Sequence, residues 1–178
     1  MIIRGYEPGD WPDVWAVLEP LFRAGETYAV PRDISSEEAR LMWTSAPKRV
    51  FVAVDATDAR VLGTYFLRPN AEGPGAHMCN CGYVVASHAR GKGVASLMCE
   101  HSQAEAISGG FRAMQFNLVV TTNVAAVRLW QALGFTIVGT IPGAFKHPSL
   151  GFVDAHVMHK LLNPKTGPAE SQRGRNRA

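Results

Sequence analysis

The most informative segment of the chain is Tyr83-Val84-Val85-Ala86-Ser87-His88-Ala89-Arg90-Gly91-Lys92-Gly93-Val94-Ala95. An aromatic and β-branched run ends at Val85, and a helical pattern begins at Val94. Gly91 and Gly93 lie between them, and because glycine has no Cβ, successive backbone amides there can turn toward one point. The N–H groups and the dipole of the following helix point the same way. The segment therefore predicts a strand, a pyrophosphate-binding turn that needs no metal, and a helix.

Two common phosphate motifs do not describe this turn. The dinucleotide fingerprint needs three glycines and an acidic residue about 20 positions further on. The P-loop needs Gly-Lys-Ser/Thr after four spacer residues, which is not found here. Two glycines beside two cations would also fit an ordinary turn between a strand and a helix, so a second motif is needed.

That second motif is Asn123-x-x-Ala126-Val127-x-Leu129-Trp130-x-x-Leu133-Gly134-Phe135. Together with Arg-x-x-Gly-x-Ala at Arg90–Ala95, it resembles the paired motifs of the GCN5-related N-acetyltransferases. The resemblance extends over residues 1–162 and implies an α/β fold, with a mixed, mostly antiparallel sheet whose central parallel strands splay apart between flanking helices. We expect one acetyl-CoA-dependent domain over residues 1–162 and a disordered basic tail over residues 163–178.

The hydrophobic pattern predicts the element order βααβββαβαββ. Asp10 is expected to cap the first helix, and Ser35 or Ser36 the second, with Glu38 completing a capping box. The predicted strands are 2–6, 50–54, 61–67, 77–85, 114–120, 135–141 and 153–161, with a turn-rich connection over 142–148, and the later helices are 94–107 and 123–133.

The resemblance implies a binding cleft for acetyl-CoA, the cosubstrate, between the splayed strands. The backbone of Val85 would pair with the pantetheine arm. Asn123 and Trp130 would contact the cosubstrate from the second motif, although Asn123 at a helix start also suits a simple N-cap. The diphosphate would be held at Arg90, Gly91, Lys92, Gly93, Val94 and Ala95.

The chain departs from the family at the usual acid and base. Many members have a Glu before the Tyr-Val-Val strand and a Tyr before the downstream Gly-Phe, where this chain has Asn80 and Trp130. An amide cannot take up a proton, and an indole N–H is no useful acid. The chain would then work by positioning its reactants, or would bind acyl-CoA without catalysis.

The residues around Asn80 and Asn117 favour catalysis by positioning. His77-Met78-Cys79-Asn80-Cys81-Gly82 and Phe116-Asn117-Leu118 resemble the fungal enzymes that acetylate azetidine-2-carboxylate and other proline analogues, which have an Asn on each of two strands. The resemblance implies that Asn80 and Asn117 flank the gap and orient the substrate. An Asn carbonyl would accept the amine N–H, and an Asn NH₂ would instead bind a carboxylate or the acetyl oxygen. The structural alternative is that both satisfy backbone groups where the strands diverge.

The acceptor site is expected to draw on two loops. The resemblance to the GCN5-related family implies that Glu26, Thr27 and Tyr28, in the loop between the first two helices, cover the acceptor. Phe145 and His147, in the connection between the last two strands, are candidates to close its other side. The alternatives are that Glu26, Thr27 and Tyr28 are ordinary surface residues and that the connection around Phe145 is an ordinary turn. Neither His77 nor His88 is expected to be a base.

Composition restricts the partners. The formal net charge is +3. Residues 1–163 carry equal numbers of acidic and basic side chains, so the surplus belongs to the C-terminal residues, which hold Lys165, Arg173, Arg175 and Arg177 against Glu170. A neutral body argues against nucleic acid as a partner. No apolar run approaches the ~20 residues needed to span a membrane, and no secretory signal opens the chain, so a cytoplasmic location is expected.

The cysteines predict neither disulfides nor a metal site. The chain has three cysteines, an odd number that does not suit a disulfide framework. Cys79 and Cys81 are separated by one residue, whereas zinc and redox pairs have two residues between their cysteines. Buried free thiols are expected.

These observations predict an N-acetyltransferase that moves acetyl from acetyl-CoA to a small amine, amino or imino acid-like, by direct attack in a ternary complex. The alternatives are a protein or peptide N-acetyltransferase and a non-catalytic acyl-CoA sensor. Because members of the family often form dimers, the resemblance implies that this chain can form a homodimer.

Overall fold

A computed structural model describes residues 1–162 and contains one seven-stranded mixed sheet in the order β1-β2-β3-β4-β5-β7-β6. The predicted order of helices and strands is confirmed. The strands are β1 (Ile2–Gly5), β2 (Arg49–Val54), β3 (Val61–Pro69), β4 (Met78–Val85), β5 (Ala113–Val120), β6 (Thr136–His147) and β7 (Gly151–Leu161). The helices are α1 (Trp11–Ala24), α2 (Ser36–Thr44), α3 (Val94–Ser108) and α4 (Val124–Ala132).

The two central strands β4 and β5 are parallel neighbours that separate soon after they begin. They pair only at Met78 with Ala113 and at Cys79 with Met114. All other neighbouring strands of the sheet run antiparallel. The predicted splayed pair is therefore confirmed, and the C-terminal part of β4 has no strand on its β5 side.

Helices cover both faces of the sheet and enclose two apolar cores. On one face, Val14, Leu18 and Phe22 of α1 recur at helical spacing and pack with Trp43 of α2. The other face is closed by α3 and α4, whose buried residues include Met98. Cys79, Cys81 and Cys99 are buried and unpaired, as predicted, and residues 1–162 contain no cluster of metal-ligating side chains.

Two local predictions differ from the structure. Asp10 is the N-cap residue of α1, as predicted, but its side chain makes no capping hydrogen bond, because the carboxylate accepts from Arg4 and from the backbone N–H of Glu7. The connection predicted over 142–148 is strand, since β6 continues to His147. A register shift absorbs the Pro-Gly pair as a bulge, where the N–H of Gly143 donates to Asp154.

The capping box predicted at Ser35 is confirmed. Its side chain accepts from the N–H of Glu38, and Glu38 accepts in return from Ser35. Within residues 1–162, no helix has the length and apolar character required to cross a membrane. The predicted disordered tail, residues 163–178, lies outside the described residues.

Candidate active site

The gap between β4 and β5 opens into a cleft of about 1370 Å³. This exceeds the roughly 300–1,000 Å³ of pockets for one drug-sized ligand, so a large cosubstrate and a second reactant can share it. Most of the residues predicted for the site line the cleft, namely Glu26, Thr27, Tyr28, Asn80, Val85, Arg90, Gly91, Gly93, Val94, Ala95, Asn117, Asn123 and Trp130.

Two of the predicted residues are not part of this lining. Lys92 is exposed in the glycine loop, but it is not one of the residues that line the cleft. Phe145 is buried in β6, where it pairs with Val153 of β7. The long β6 strand places Phe145 in the sheet and not in a loop over the acceptor.

The edge of β4 beside the cleft offers unpaired backbone groups. The carbonyl of Val84 points toward Gly63 of β3. Because successive residues of a strand direct their backbone groups to opposite sides, the N–H and C=O of Val85 point to the side that β5 has left. An extended ligand can therefore pair with the backbone of Val85 as an added strand would.

The glycine loop presents its backbone without obstruction. Gly91 and Gly93 have φ values of +73° and +77°, a conformation that favours glycine, and nothing lies within 4 Å of a Cβ built on either. Helix α3 begins immediately afterwards at Val94. Exposed backbone at a helix N-terminus suits a diphosphate, so the loop fits the group that the sequence predicts for it.

Helix α4 contributes Asn123 and Trp130 to the cleft. The Oδ1 of Asn123 accepts from the N–H of Ala126 at 3.3 Å, so the N-cap interpretation is confirmed, while the residue also lines the cleft. Trp130 is 8% exposed and lies against the rings of Tyr83 and Phe116, each 5.1 Å away between centroids. Its position is that of a packed wall residue.

Asn80 and Asn117 are held by a shared partner that sequence reasoning missed. The Oδ1 of Asn70 accepts from Nδ2 of Asn117 at 2.7 Å and from Nδ2 of Asn80 at 3.3 Å. Asn70 follows β3, and its backbone N–H donates to the carbonyl of Met78 at 2.8 Å. One turn thereby links the two strands at the point where they separate.

The two amides differ in what they leave for a ligand. The Oδ1 of Asn117 accepts from Nε2 of Gln115 at 2.9 Å, whereas Oδ1 of Asn80 accepts no hydrogen bond from the rest of residues 1–162. Both amides bond to side chains, so the alternative that they satisfy backbone groups does not describe this network. Asn80, which carries this free oxygen, is only 9% exposed and lines the cleft.

The loop between α1 and α2 covers one end of the cleft through Tyr28. Its hydroxyl donates to the carbonyl of Tyr83 at 3.1 Å. This approach requires Gly82, because a Cβ there would lie 2.9 Å from the Tyr28 hydroxyl and 2.6 Å from Phe66. Burial raises the pKa of Tyr28 well above its ordinary value, so the hydroxyl stays protonated near neutral pH.

Comparison with known proteins agrees with this geometry. A family model described as the Acetyltransferase (GNAT) family matches residues 11–135. The chain belongs to the GNAT family. The members of this family use acetyl-CoA, and both the glycine loop and the open edge of β4 fit it.

Relatives with known names or structures support the assignment. A GCN5-related N-acetyltransferase from Kribbella flavida is 45% identical in sequence, with a TM-score of 0.85 over 90% of this chain and 96% of that one. The N-acetyltransferase aca1 of Schizosaccharomyces pombe is 36% identical over 98 residues, 54% of this chain. The chain spans about half of that relative's length, because the match covers 47% of it.

A more distant structure shares the fold alone. The phosphinothricin acetyltransferase of Sinorhizobium meliloti, solved in complex with acetyl-CoA, is 19% identical, with a TM-score of 0.80 over 95% of this chain and 93% of that one.

Three residues of this GNAT cleft region were missed from the sequence. Asn70 carries no motif, and only the pairing of β3 with β4 brings it to Asn80 and Asn117. The need for glycine at position 82 could not be predicted, because it depends on the positions of Phe66 and Tyr28 in the folded structure. Arg68 could have been found, because a charged residue within an apolar strand needs a partner. It was missed because the predicted strand ended at Leu67, one residue before it, whereas β3 continues to Pro69.

Proposed function

We propose that the chain transfers acetyl from acetyl-CoA to the amine of a small molecule, amino or imino acid-like, by direct attack within a ternary complex. The observation that carries the proposal is the free Oδ1 of Asn80, fixed by Asn70 in a cleft that also fits the cosubstrate. An amide oxygen accepts an amine N–H and aims the nitrogen lone pair at the thioester carbon, an orientation effect that can be large.

The chemistry relies on positioning. The neutral amine forms a bond to the acetyl carbonyl carbon, the C–S bond breaks, and the sulfur leaves as the thiolate of CoA. The proton that the nitrogen loses passes to the thiolate or to solvent. Asn80 and Trp130 stand where many family members carry a Glu and a Tyr, so the acceptor's own equilibrium would supply its neutral form.

The covered acceptor end favours a small molecule over a peptide. Tyr28 reaches across to the backbone of Tyr83, and Thr27 also lines the cleft beside it. A peptide acceptor needs an open groove at this end. Proline analogues such as azetidine-2-carboxylate are the acceptors to test first, because the residues around Asn80 and Asn117 resemble those of the fungal enzymes that acetylate them.

The experiment measures release of CoA thiol with a panel of small amines that includes azetidine-2-carboxylate and proline. Asn80→Ala and Asn117→Ala are each expected to lower kcat/KM by about 10- to 100-fold, because orientation is lost. Asn70→Ala is expected to lower turnover as well, since both amides lose their shared partner. Gln131→Ala, an exposed amide outside the cleft lining, is the matched control.

Calorimetric titration with acetyl-CoA completes the test. Its affinity is expected to be unchanged in all four variants. Tight acetyl-CoA binding with no turnover of any amine would contradict the proposal and identify an acyl-CoA sensor. Loss of acetyl-CoA binding in the Asn80 and Asn117 variants would give those residues a structural role instead.

A further inference from the structure

Two buried polar atoms lack a hydrogen-bond partner within residues 1–162, and both belong to residues of the same cleft. They are Oγ1 of Thr27 and Nε of Arg68. Buried polar groups in folded proteins are nearly always paired, and an unpaired one at a binding site points to a ligand that completes it. The guanidinium is the more informative of the two, because it never loses its charge.

The position of Arg68 in the sheet places it beside Asn80. The two residues are directly opposite each other in the antiparallel pair of β3 and β4, as are Phe66 and Gly82 two positions further along. Residues opposite each other direct their side chains to the same face, with Cβ atoms about 4.5–5.5 Å apart. Arg68 therefore shares the face on which Phe66 and Tyr28 pack.

No described carboxylate neutralises Arg68. The salt bridges within residues 1–162 involve Arg4, Arg23, Arg40, Arg49 and Arg60. A second cation lies on this face, since the Nζ of Lys48 is 5.2 Å from the centre of the Phe66 ring. Burial, followed by the charge of Arg68, lowers the pKa of Lys48. This end of the cleft consequently favours an anion.

We propose that Arg68 binds a carboxylate of the acceptor, one that lies next to the amine to be acetylated. A planar guanidinium matches a carboxylate with two parallel hydrogen bonds. With the carboxylate on Arg68, an amine one carbon away is directed toward Oδ1 of Asn80 across the strand pair. The unpaired hydroxyl of Thr27 belongs to a residue that lines the same cleft. This inference rests on the proposed function and narrows its substrates to α-amino and α-imino acids.

The test compares acceptors that differ only in the carboxylate, namely azetidine-2-carboxylate and proline against their carboxamides. Arg68→Gln is expected to lower kcat/KM for the carboxylates by about 10- to 100-fold, the effect of losing a hydrogen bond to a charged group, and to leave the carboxamides within about twofold. Arg68→Lys is expected to recover part of the loss. The matched control is Arg49→Gln, in the neighbouring strand and ion-paired with Glu105 of α3.

Calorimetry of the same four ligands with the enzyme–CoA complex gives a readout independent of turnover. Carboxylate binding that is weakened by Arg68→Gln, with acetyl-CoA affinity and melting temperature retained, supports the inference even if no amine is acetylated, in which case the proposed function alone fails. Turnover with an unchanged carboxylate preference in Arg68→Gln overturns the inference and leaves the proposed function in place. Failure of wild-type protein to bind any of the four ligands overturns it as well.

Discussion

At the scale of single residues, the side-chain oxygen of Asn70 holds two asparagines of the cleft lining. Asn70 accepts from Asn80 and Asn117 together, and these bonds leave the carbonyl of Asn80 as the free acceptor. An Asn side chain has two donors and one acceptor oxygen, so fixing the donors also fixes where the oxygen points. The two asparagines on the strands are therefore not equivalent.

Asp10 provides a residue-scale prediction about stability. Its carboxylate accepts from Nη1 and Nη2 of Arg4, at 2.8 and 2.6 Å, and from the N–H of Glu7 at 2.7 Å. The hydrogen bond from Arg4 is the main cause that lowers the pKa of Asp10. Asp10→Asn is expected to lower the free energy of unfolding by about 1–2 kcal/mol at pH 7.

The pH dependence of that loss follows from the sign of the shift. A lowered folded-state pKa contributes stability above the unfolded value of about 3.9, and the contribution disappears as pH falls through the folded-state pKa. Urea denaturation of both proteins should therefore show a difference at pH 7 that shrinks below about pH 4. Asp33→Asn, an exposed loop carboxylate, is the control. A difference that persists unchanged at low pH would contradict the ion-pair explanation.

At the scale of elements, the packing of Phe66 and Tyr28 against β4 depends on the absence of a side chain at Gly82. A Cβ on Gly82 would lie 2.6 Å from Phe66 and 2.9 Å from the Tyr28 hydroxyl. Gly82→Ala is expected to cost about 1–3 kcal/mol through overpacking and to displace Tyr28 from the carbonyl of Tyr83. Gly5→Ala in β1, where nothing lies within 4 Å of the added Cβ, should cost less. Thermal denaturation checks this, and equal losses would contradict it.

The two ends of α3 offer a second element-scale prediction. Gly93 precedes α3 with φ +77°, and Gly110 follows it with φ +82°; an added Cβ meets nothing at either site. An alanine at either site pays a similar backbone penalty, about 1–2 kcal/mol. Only Gly93→Ala is expected to weaken acetyl-CoA binding, because only that amide belongs to the glycine loop. Calorimetry measures the affinity of both variants for acetyl-CoA. Equal affinities would show that the glycine loop does not bind the cosubstrate.

At the scale of the whole molecule, the surplus of basic charge lies in residues 164–178, beyond the residues that the structure describes. Leu162 is 7% exposed, and its N–H donates to the carbonyl of Arg112 at 3.0 Å. A chain that ends at Asn163 is therefore expected to keep its melting temperature and acetyl-CoA affinity, although it loses the basic surplus. A chain that ends at Leu161 is expected to melt at a lower temperature. Equal loss in both would show that the C-terminal residues contribute to the fold.

Most of the fold could be predicted from the sequence, because hydrophobic periodicity and turn residues act over a few positions. The exceptions depend on residues that lie in other elements. The Asp10 side chain binds Arg4 of β1 and so does not cap α1. The Pro-Gly pair before Phe145 forms a bulge because β6 continues to pair with β7 on both sides of it. A one-dimensional pattern does not contain the register of a neighbouring strand.

By itself, the sequence determined the order of elements, the glycine loop and the residue types Asn80 and Asn117, since each depends on local patterns or motifs. Tertiary structure decided how they act. The separation of β4 from β5 creates the cleft, Asn70 aligns the two amides, and the pairing of β3 with β4 sets Arg68 opposite Asn80. These relations depend on strand register and side-chain geometry between segments far apart in the chain, and only the folded sheet fixes them.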